Sequence, residues 1–208
     1  MIASIEYAAA LAYSPRGQSA ISQKSRQYRD ALKRADARFL AMAAAHIAQQ
    51  VQKGQFQEFF GAGITLVPVP GSAPRRDPSS LWIAEQLCRA LMNVNLGAQV
   101  WSGLRRETAV PKSATASRGE RPTIDVHIES LRMNDYLAPT GVVTLVDDVI
   151  TKGRTLLACA EILQRSIPSL TIRGFALIRT MGLVPDIAEI VDPVVGNISF
   201  DGDAVRAP

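Results

Sequence analysis

Val142-Val143-Thr144-Leu145-Val146-Asp147-Asp148-Val149-Ile150-Thr151-Lys152-Gly153-Arg154-Thr155 is the stretch on which the reading of this chain turns. Its apolar, β-branched first half reads as a strand buried on both faces, the pattern of a parallel sheet. The strand meets two adjacent carboxylates and then a Thr-x-Gly-x-Thr turn. A helical pattern follows from Leu156 to Arg165. A turn of this kind places several backbone N–H groups around an anion at the positive end of a helix, and Gly153 lets the backbone approach without a Cβ. Thr151 and Thr155 add hydroxyl donors. An isolated Asp-Asp turn would be read as a helix cap. Strand, acidic pair, glycine turn and helix in succession point to phosphate.

The carboxylates call for a different partner. Side chains alternate along a strand, so Asp147 and Asp148 point one into a ligand crevice and the other toward its edge, where they accept from sugar hydroxyls or hold waters on a Mg²⁺ ion. A ribose bearing a 5′-phosphate and a metal-bound pyrophosphate uses all of these groups. Leu145–Thr155 closely resembles the signature of the type I phosphoribosyltransferases, which bind 5-phosphoribosyl 1-diphosphate (PRPP). The resemblance implies that Asp147 and Asp148 bind the ribose and, through waters, Mg²⁺, and that Thr151, Lys152, Gly153, Arg154 and Thr155 bind the 5′-phosphate. Lys152 departs from the second Thr of many members, a change compatible with a loop that works through backbone donors.

Upstream, Ile64–Val69 is a second buried strand. It runs into Pro68-Val69-Pro70-Gly71-Ser72-Ala73-Pro74-Arg75-Arg76, before a helix expected from about Ser79 to Met92 with Ser79 or Ser80 as its cap. In the family the loop after the first core strand binds pyrophosphate, which assigns Gly71, Ser72, Arg75 and Arg76 to that role; a solvated arginine pair is the other reading. The wording of this loop is similar, more narrowly, to the competence-protein F (ComF) branch. The chain lacks that branch's cysteine-rich zinc ribbon, and Arg76-Asp77-Pro78-Ser79 replaces its usual segment here.

The basic stretch Gly103 to Pro122 is long for a loop inside a compact domain. Its position matches the family's flexible catalytic loop, which implies that Arg105, Arg106, Lys112 and Arg118 supply cations to the departing pyrophosphate and exclude water. Thr123 to Leu131 alternates apolar and polar residues and reads as a half-exposed strand with His127 at the surface. Thr171–Ile178 is another strand; Arg179 at its end is either part of the crevice or a plain surface residue.

At the amino end, an Ala-rich piece and a Ser14-Pro15-Arg16-Gly17 turn precede Gln23–Gln52, which has helical spacing and reads as one long helix or two. Residues 1–55 are therefore expected as a helical extension, 64–180 as the core and 181–208 as a hood or tail of one domain. A length of 208 residues with 47% hydrophobic content suits a single α/β domain. The fold expected is that of the type I phosphoribosyltransferases, a mostly parallel central sheet with helices on both faces. A net charge of +4 suits anionic ligands. Cys88 and Cys159 fall in apolar helical patterns and read as buried thiols. With no signal sequence or membrane-length apolar run, the chain is expected in the cytoplasm.

The resemblance implies transfer of a phosphoribosyl group to a nitrogenous base with release of pyrophosphate, and a homodimer is compatible with it. The alternatives are a PRPP or nucleotide sensor without catalysis, and a ComF-like protein handling single-stranded nucleic acid. The basic loop carries none of the interleaved aromatics that stack on bases, which weighs against nucleic acid.

Overall fold

The computed structural model describes residues 2–77, 79–111, 122–134, 137–182, 184 and 186–208. Strand β1 (Ser4–Tyr13) is followed by helices α1 (Ala20–Lys33) and α2 (Ala37–Gln52), then β2 (Ile64–Pro68), α3 (Ile83–Met92), β3 (Gln99–Val100) and β4 (Leu104–Arg106). The second half runs α4 (Ile124–Ser130), β5 (Leu131–Met133), β6 (Val142–Ile150), α5 (Arg154–Ser166), β7 (Thr171–Thr180), β8 (Val191–Phe200) and β9 (Ala204–Ala207). Seven strands form one sheet in the order β3-β2-β6-β7-β1-β8-β9. β3, β2, β6, β7 and β1 are mutually parallel, and β8 returns antiparallel on β1. The expected α/β architecture, a mostly parallel sheet covered by helices, is the one observed.

The order of strands fixes where a ligand fits. The crossover β2-α3-β3 covers one face, where Leu87 and Leu91 pack with Leu66, Val146 and Phe175. The crossover β6-α5-β7 covers the other, where Leu156, Leu157 and Leu163 pack with Val67, Val143 and Leu145. Neighbouring residues of β2 and of β6 thus feed opposite layers, as a strand buried on both sides requires. The two crossovers leave adjacent parallel strands in opposite directions. At such a switch point the loops diverge and open a crevice beyond the carboxyl ends of the strands.

Several sequence expectations are corrected. The Ala-rich amino terminus does not belong to a helical extension. It is β1, an inner strand whose residues Tyr7 to Ala12 are all buried. Alanine favours helix in isolation, but small side chains fit a strand sandwiched between β7 and β8, and tertiary context overrides the propensity. The Gln23–Gln52 pattern resolves into two helices, broken where Ala35 adopts a positive φ of 48°; Asp36 caps the second by accepting from Phe39 N at 2.8 Å. Thr123–Leu131 is not a half-exposed strand. Thr123 caps a short helix by accepting from Val126 N, and Ile124, His127 and Ser130 recur on its inner face. His127 is accordingly buried, not at the surface. Neither Ser79 nor Ser80 caps α3: both are held by Asp77, and Trp82 occupies the cap position without a side-chain bond. Residues 191–207, expected within a hood or tail, supply β8 and β9 to the sheet.

Thr144, on β6, is fully buried and donates from Oγ1 to the carbonyl oxygen of Phe59 at 2.6 Å. Thr144→Val keeps the shape and strands that carbonyl, so it is expected to cost about 1–3 kcal/mol in denaturant unfolding. A change within about 0.5 kcal/mol would mean the bond contributes nothing.

Candidate active site

The turn at the carboxyl end of β6 is built as its sequence suggests. Gly153 has φ of 89°, in the left-handed region, and directly precedes the first turn of α5. That conformation turns the chain so that the leading N–H groups of α5 face the crevice. A Cβ on Gly153 would stand 2.7 Å from Cδ1 of Ile198 on β8, so the position is closed to larger residues by packing as well as by conformation. A cavity of about 70 Å³ lies against this turn, lined among others by Asp147, Thr151, Gly153 and Thr155. Thr151 Oγ1 is 3.5 Å from Thr180 Oγ1 at the end of β7.

The acidic pair is held in place by backbone and by a distant lysine. Asp148 N donates to Asp147 Oδ1 at 2.8 Å, and Val149 N donates to Asp148 Oδ1 at 2.7 Å. Lys33, in the last turn of α1, donates to Asp148 Oδ2 at 2.6 Å. Burial, and then the adjacent Asp148 carboxylate, push Asp147 well above the ordinary carboxylate range, against the pull of Lys33. Two adjacent carboxylates, of which only Asp148 is ion-paired among the described residues, form a locally anionic site that a further cation would relieve.

The two cations of the turn are already engaged. Arg154 donates from Nε to Asp203 Oδ1 at 2.5 Å and from a terminal nitrogen to Oδ2 at 2.6 Å, a bidentate pair, while Lys152 Nζ reaches Oδ2 at 2.8 Å. Arg154 also donates to the carbonyl oxygen of Pro122 at 2.9 Å. Asp203 sits in the β8–β9 connection, so the carboxyl-terminal hairpin braces the turn from outside. The Arg154 guanidinium holds the Asp203 carboxyl far below its ordinary value. A depressed carboxylate contributes stability that is complete above the ordinary value of 3.8 and is lost as pH falls through and below it. Asp203→Asn is therefore expected to flatten the acid limb of a thermal-melting profile between about pH 5 and pH 2. Identical acid limbs for the two proteins would show that the bridge is not formed in solution.

The first loop also closes onto its neighbours. Val69 N donates to the carbonyl oxygen of Val146, and Trp82 Nε1 donates to the carbonyl oxygen of Val69, both joining the end of β2 to the elements around it. The carbonyl oxygens of Gly71 and Ser72 accept from Arg106 Nε at 2.5 Å and from Val110 N at 2.8 Å. Arg75 bonds Glu85 at 3.1 Å and lies over the Trp82 ring at 5.6 Å, so its head is turned toward α3. Arg76 is exposed.

The four cations expected on one basic loop separate. Arg105 is exposed on β4 and pairs with Glu107 at 3.3 Å. Arg106 is not on an open loop: it lies on β4, is buried, and donates to Ser130 Oγ as well as to Gly71. Burial lowers its guanidinium, while Cys159 and Asp147 act in the opposite sense. Lys112 and Arg118 lie outside the described residues.

Lys33 and Asp203 are site residues that sequence reading missed, since nothing near them in the chain marks them. The thiols of Cys88 and Cys159 are free and buried, as expected. Among the described residues there is no group of three or more His, Cys, Asp or Glu side chains placed to hold a metal ion, and no helix long and apolar enough to cross a membrane.

No family model matches the chain, and no curated protein does. Among solved structures it is similar to a hypoxanthine phosphoribosyltransferase from Trypanosoma cruzi, at 16% identity and a TM-score of 0.37 over 77% of this chain and 71% of that one. It is also similar to a hypoxanthine phosphoribosyltransferase from Staphylococcus aureus, at 14% identity and a TM-score of 0.35 over 73% of this chain and 81% of that one. Likeness at that level assigns neither substrate nor reaction.

Proposed function

We propose that this chain is a phosphoribosyltransferase that binds PRPP with Mg²⁺ and transfers the phosphoribosyl group to a nitrogenous base. One observation carries the reading: at the switch point of the sheet, the acidic pair Asp147–Asp148 stands at the end of β6 next to a left-handed glycine turn that opens α5. In this reading the N–H groups of the turn, with Thr151 and Thr155, take the 5′-phosphate. Asp147 and Asp148 accept from the ribose hydroxyls. The loop after β2, with the backbone at Gly71 and Ser72 and the cations Arg75 and Arg76, takes the pyrophosphate from the neighbouring strand end. The closer likeness to the ComF branch rests on the wording of that loop.

The donor set fits Mg²⁺. Two carboxylates with no third protein ligand among the described residues suit a hard cation that keeps several waters and completes its shell with substrate phosphate oxygens, and the raised Asp147 carboxyl is the group such a cation would stabilise in its ionised form. When bound, Mg²⁺ supplies charge neutralisation at the pyrophosphate. In the transfer the C1–O bond to pyrophosphate breaks, pyrophosphate leaves with the electron pair, a base nitrogen forms the new bond to C1, and its proton passes to solvent. The chain contributes positioning and electrostatics and requires no nucleophile of its own.

Pyrophosphate release from Mg²⁺–PRPP across a panel of purine and pyrimidine bases tests the reaction. Release that depends on one class of base supports the transferase. Tight binding without release for any base would replace it with a PRPP sensor.

A further inference from the structure

Lys33 enters the candidate site from a different layer of the fold. It closes α1, 115 residues before the acidic pair in the chain. Its Nζ donates to Asp148 Oδ2 at 2.6 Å, while the other oxygen of that carboxylate accepts from Val149 N. Both oxygens of Asp148 are therefore engaged before any ligand arrives. Asp148 is the only partner of the Lys33 ammonium among the described residues. The charge reaches further, since Lys33 also draws the Asp147 carboxyl down against burial and against Asp148.

The two partners are held unequally. The Asp148 side chain is 14% exposed and tied to the backbone, whereas that of Lys33 is 47% exposed. Leu32, fully buried, anchors the helix end beside it, so the backbone stays in place and the flexible lysine stem is the part that moves. A half-exposed ion pair holds weakly. A released ammonium has another resting place at the carboxyl end of its own helix, where the last carbonyl groups favour a cation. A divalent cation held by the same two carboxylates would stand beside the ammonium, and like charges in one site repel.

We infer that Lys33 is the resident counter-cation of the acidic pair, a latch that occupies Asp148 in the ligand-free protein and swings off it when a divalent cation and its phosphorylated ligand bind. The inference rests on the Mg²⁺–PRPP binding proposed above and adds the residue that sets how much metal the site demands. The ligand gains only the difference between the latched and open forms, so removing the latch strengthens the apparent metal affinity.

The test titrates the full chain with PRPP at increasing Mg²⁺ by calorimetry, in the wild type, Lys33→Met, Lys33→Arg and Arg34→Gln. No binding by the wild type at saturating Mg²⁺ would overturn the PRPP reading itself, and the latch with it. With binding present, Lys33→Met is expected to lower the Mg²⁺ concentration for half-maximal PRPP binding by about threefold to tenfold. The direction is diagnostic, because losing a positive charge beside an anionic ligand would by itself weaken binding. Arg34→Gln makes the same charge change at the exposed neighbouring residue and should not lower the requirement. Lys33→Arg, which keeps a cation, should retain the wild-type requirement. Thermal melting gives a second readout: Lys33→Met should melt below the wild type without ligand and should gain more from Mg²⁺ with PRPP. Three results would overturn the latch while leaving PRPP binding intact: an unchanged or higher Mg²⁺ requirement in Lys33→Met, an equal fall in Arg34→Gln, or equal gains in melting temperature for wild type and Lys33→Met.

Discussion

Replacing both carboxylates, Asp147→Asn with Asp148→Asn, is expected to lower Mg²⁺–PRPP affinity by about a hundredfold or more, because the ribose hydroxyls lose charged acceptors and the cation loses its protein ligands. The single change Asp147→Asn should do something less usual to the ligand-free protein and stabilise it near neutral pH. Asp147 is held above the ordinary carboxylate value by burial and by Asp148, so the folded state binds its proton more tightly than the unfolded chain does. Stability contributed by that proton is present at low pH and is lost as pH rises from the ordinary value of 3.8 toward the raised folded value. Asparagine has no such dependence. The gain should be on the order of 1 kcal/mol at pH 7 and should vanish in acid, as read from melting curves across pH. The same proton must leave when the ligand binds, so wild-type affinity should weaken as pH falls. A variant less stable than wild type at pH 7, with binding retained, would sink the assignment of the pair as a ligand site in favour of a structural role.

Gly153→Ala is expected to cost about 2–5 kcal/mol. A left-handed conformation costs an L-residue about 1–2 kcal/mol. The new Cβ would stand 2.7 Å from Ile198 Cδ1, inside contact distance of a fully buried side chain, and such overpacking adds about 1–3 kcal/mol. Shifting the turn also displaces the leading N–H groups of α5, which the proposed function assigns to the 5′-phosphate, so phosphate and PRPP affinity should fall together with stability. The two contributions separate in a double-mutant cycle: Ile198→Val on the alanine background should return part of the lost stability but little of the lost affinity. A neutral effect of Gly153→Ala on both readouts would show that the turn does not adopt this conformation.

The core of this site was legible because its signals are local. Val142–Ile150 is apolar on both faces, which marks a central parallel strand, and Gly153 stands where only a residue without a Cβ fits. The same logic found β2 and the loop that follows it. Two elements were misread for physical reasons. Alternation at Thr123–Leu131 matched a strand, yet Ile124, His127 and Ser130 also recur at helical spacing, and Thr123 as a cap favoured the helix. At Tyr7–Ala12 alanine spoke for a helix, while the space between β7 and β8 selected a strand. Partners far apart in sequence were invisible altogether. Lys33 lies 115 residues before Asp148, and Asp203 lies 49 residues after Arg154; only the sheet order brings them to one edge. Arg106 illustrates a third limit, since a basic stretch shows how much charge it carries but not which arginine turns inward.

The switch point between β2 and β6 makes a single claim about chemistry, that the acidic pair and the glycine turn together hold a phosphorylated ribose with its metal. Isothermal titration of the full chain with PRPP, with and without Mg²⁺, measures it directly. Binding is expected to require Mg²⁺, to weaken as pH falls through the range in which Asp147 takes up its proton, and to be lost in Asp147→Asn with Asp148→Asn. Absence of PRPP binding in Mg²⁺, or equal binding by the wild type and the double variant, would contradict it.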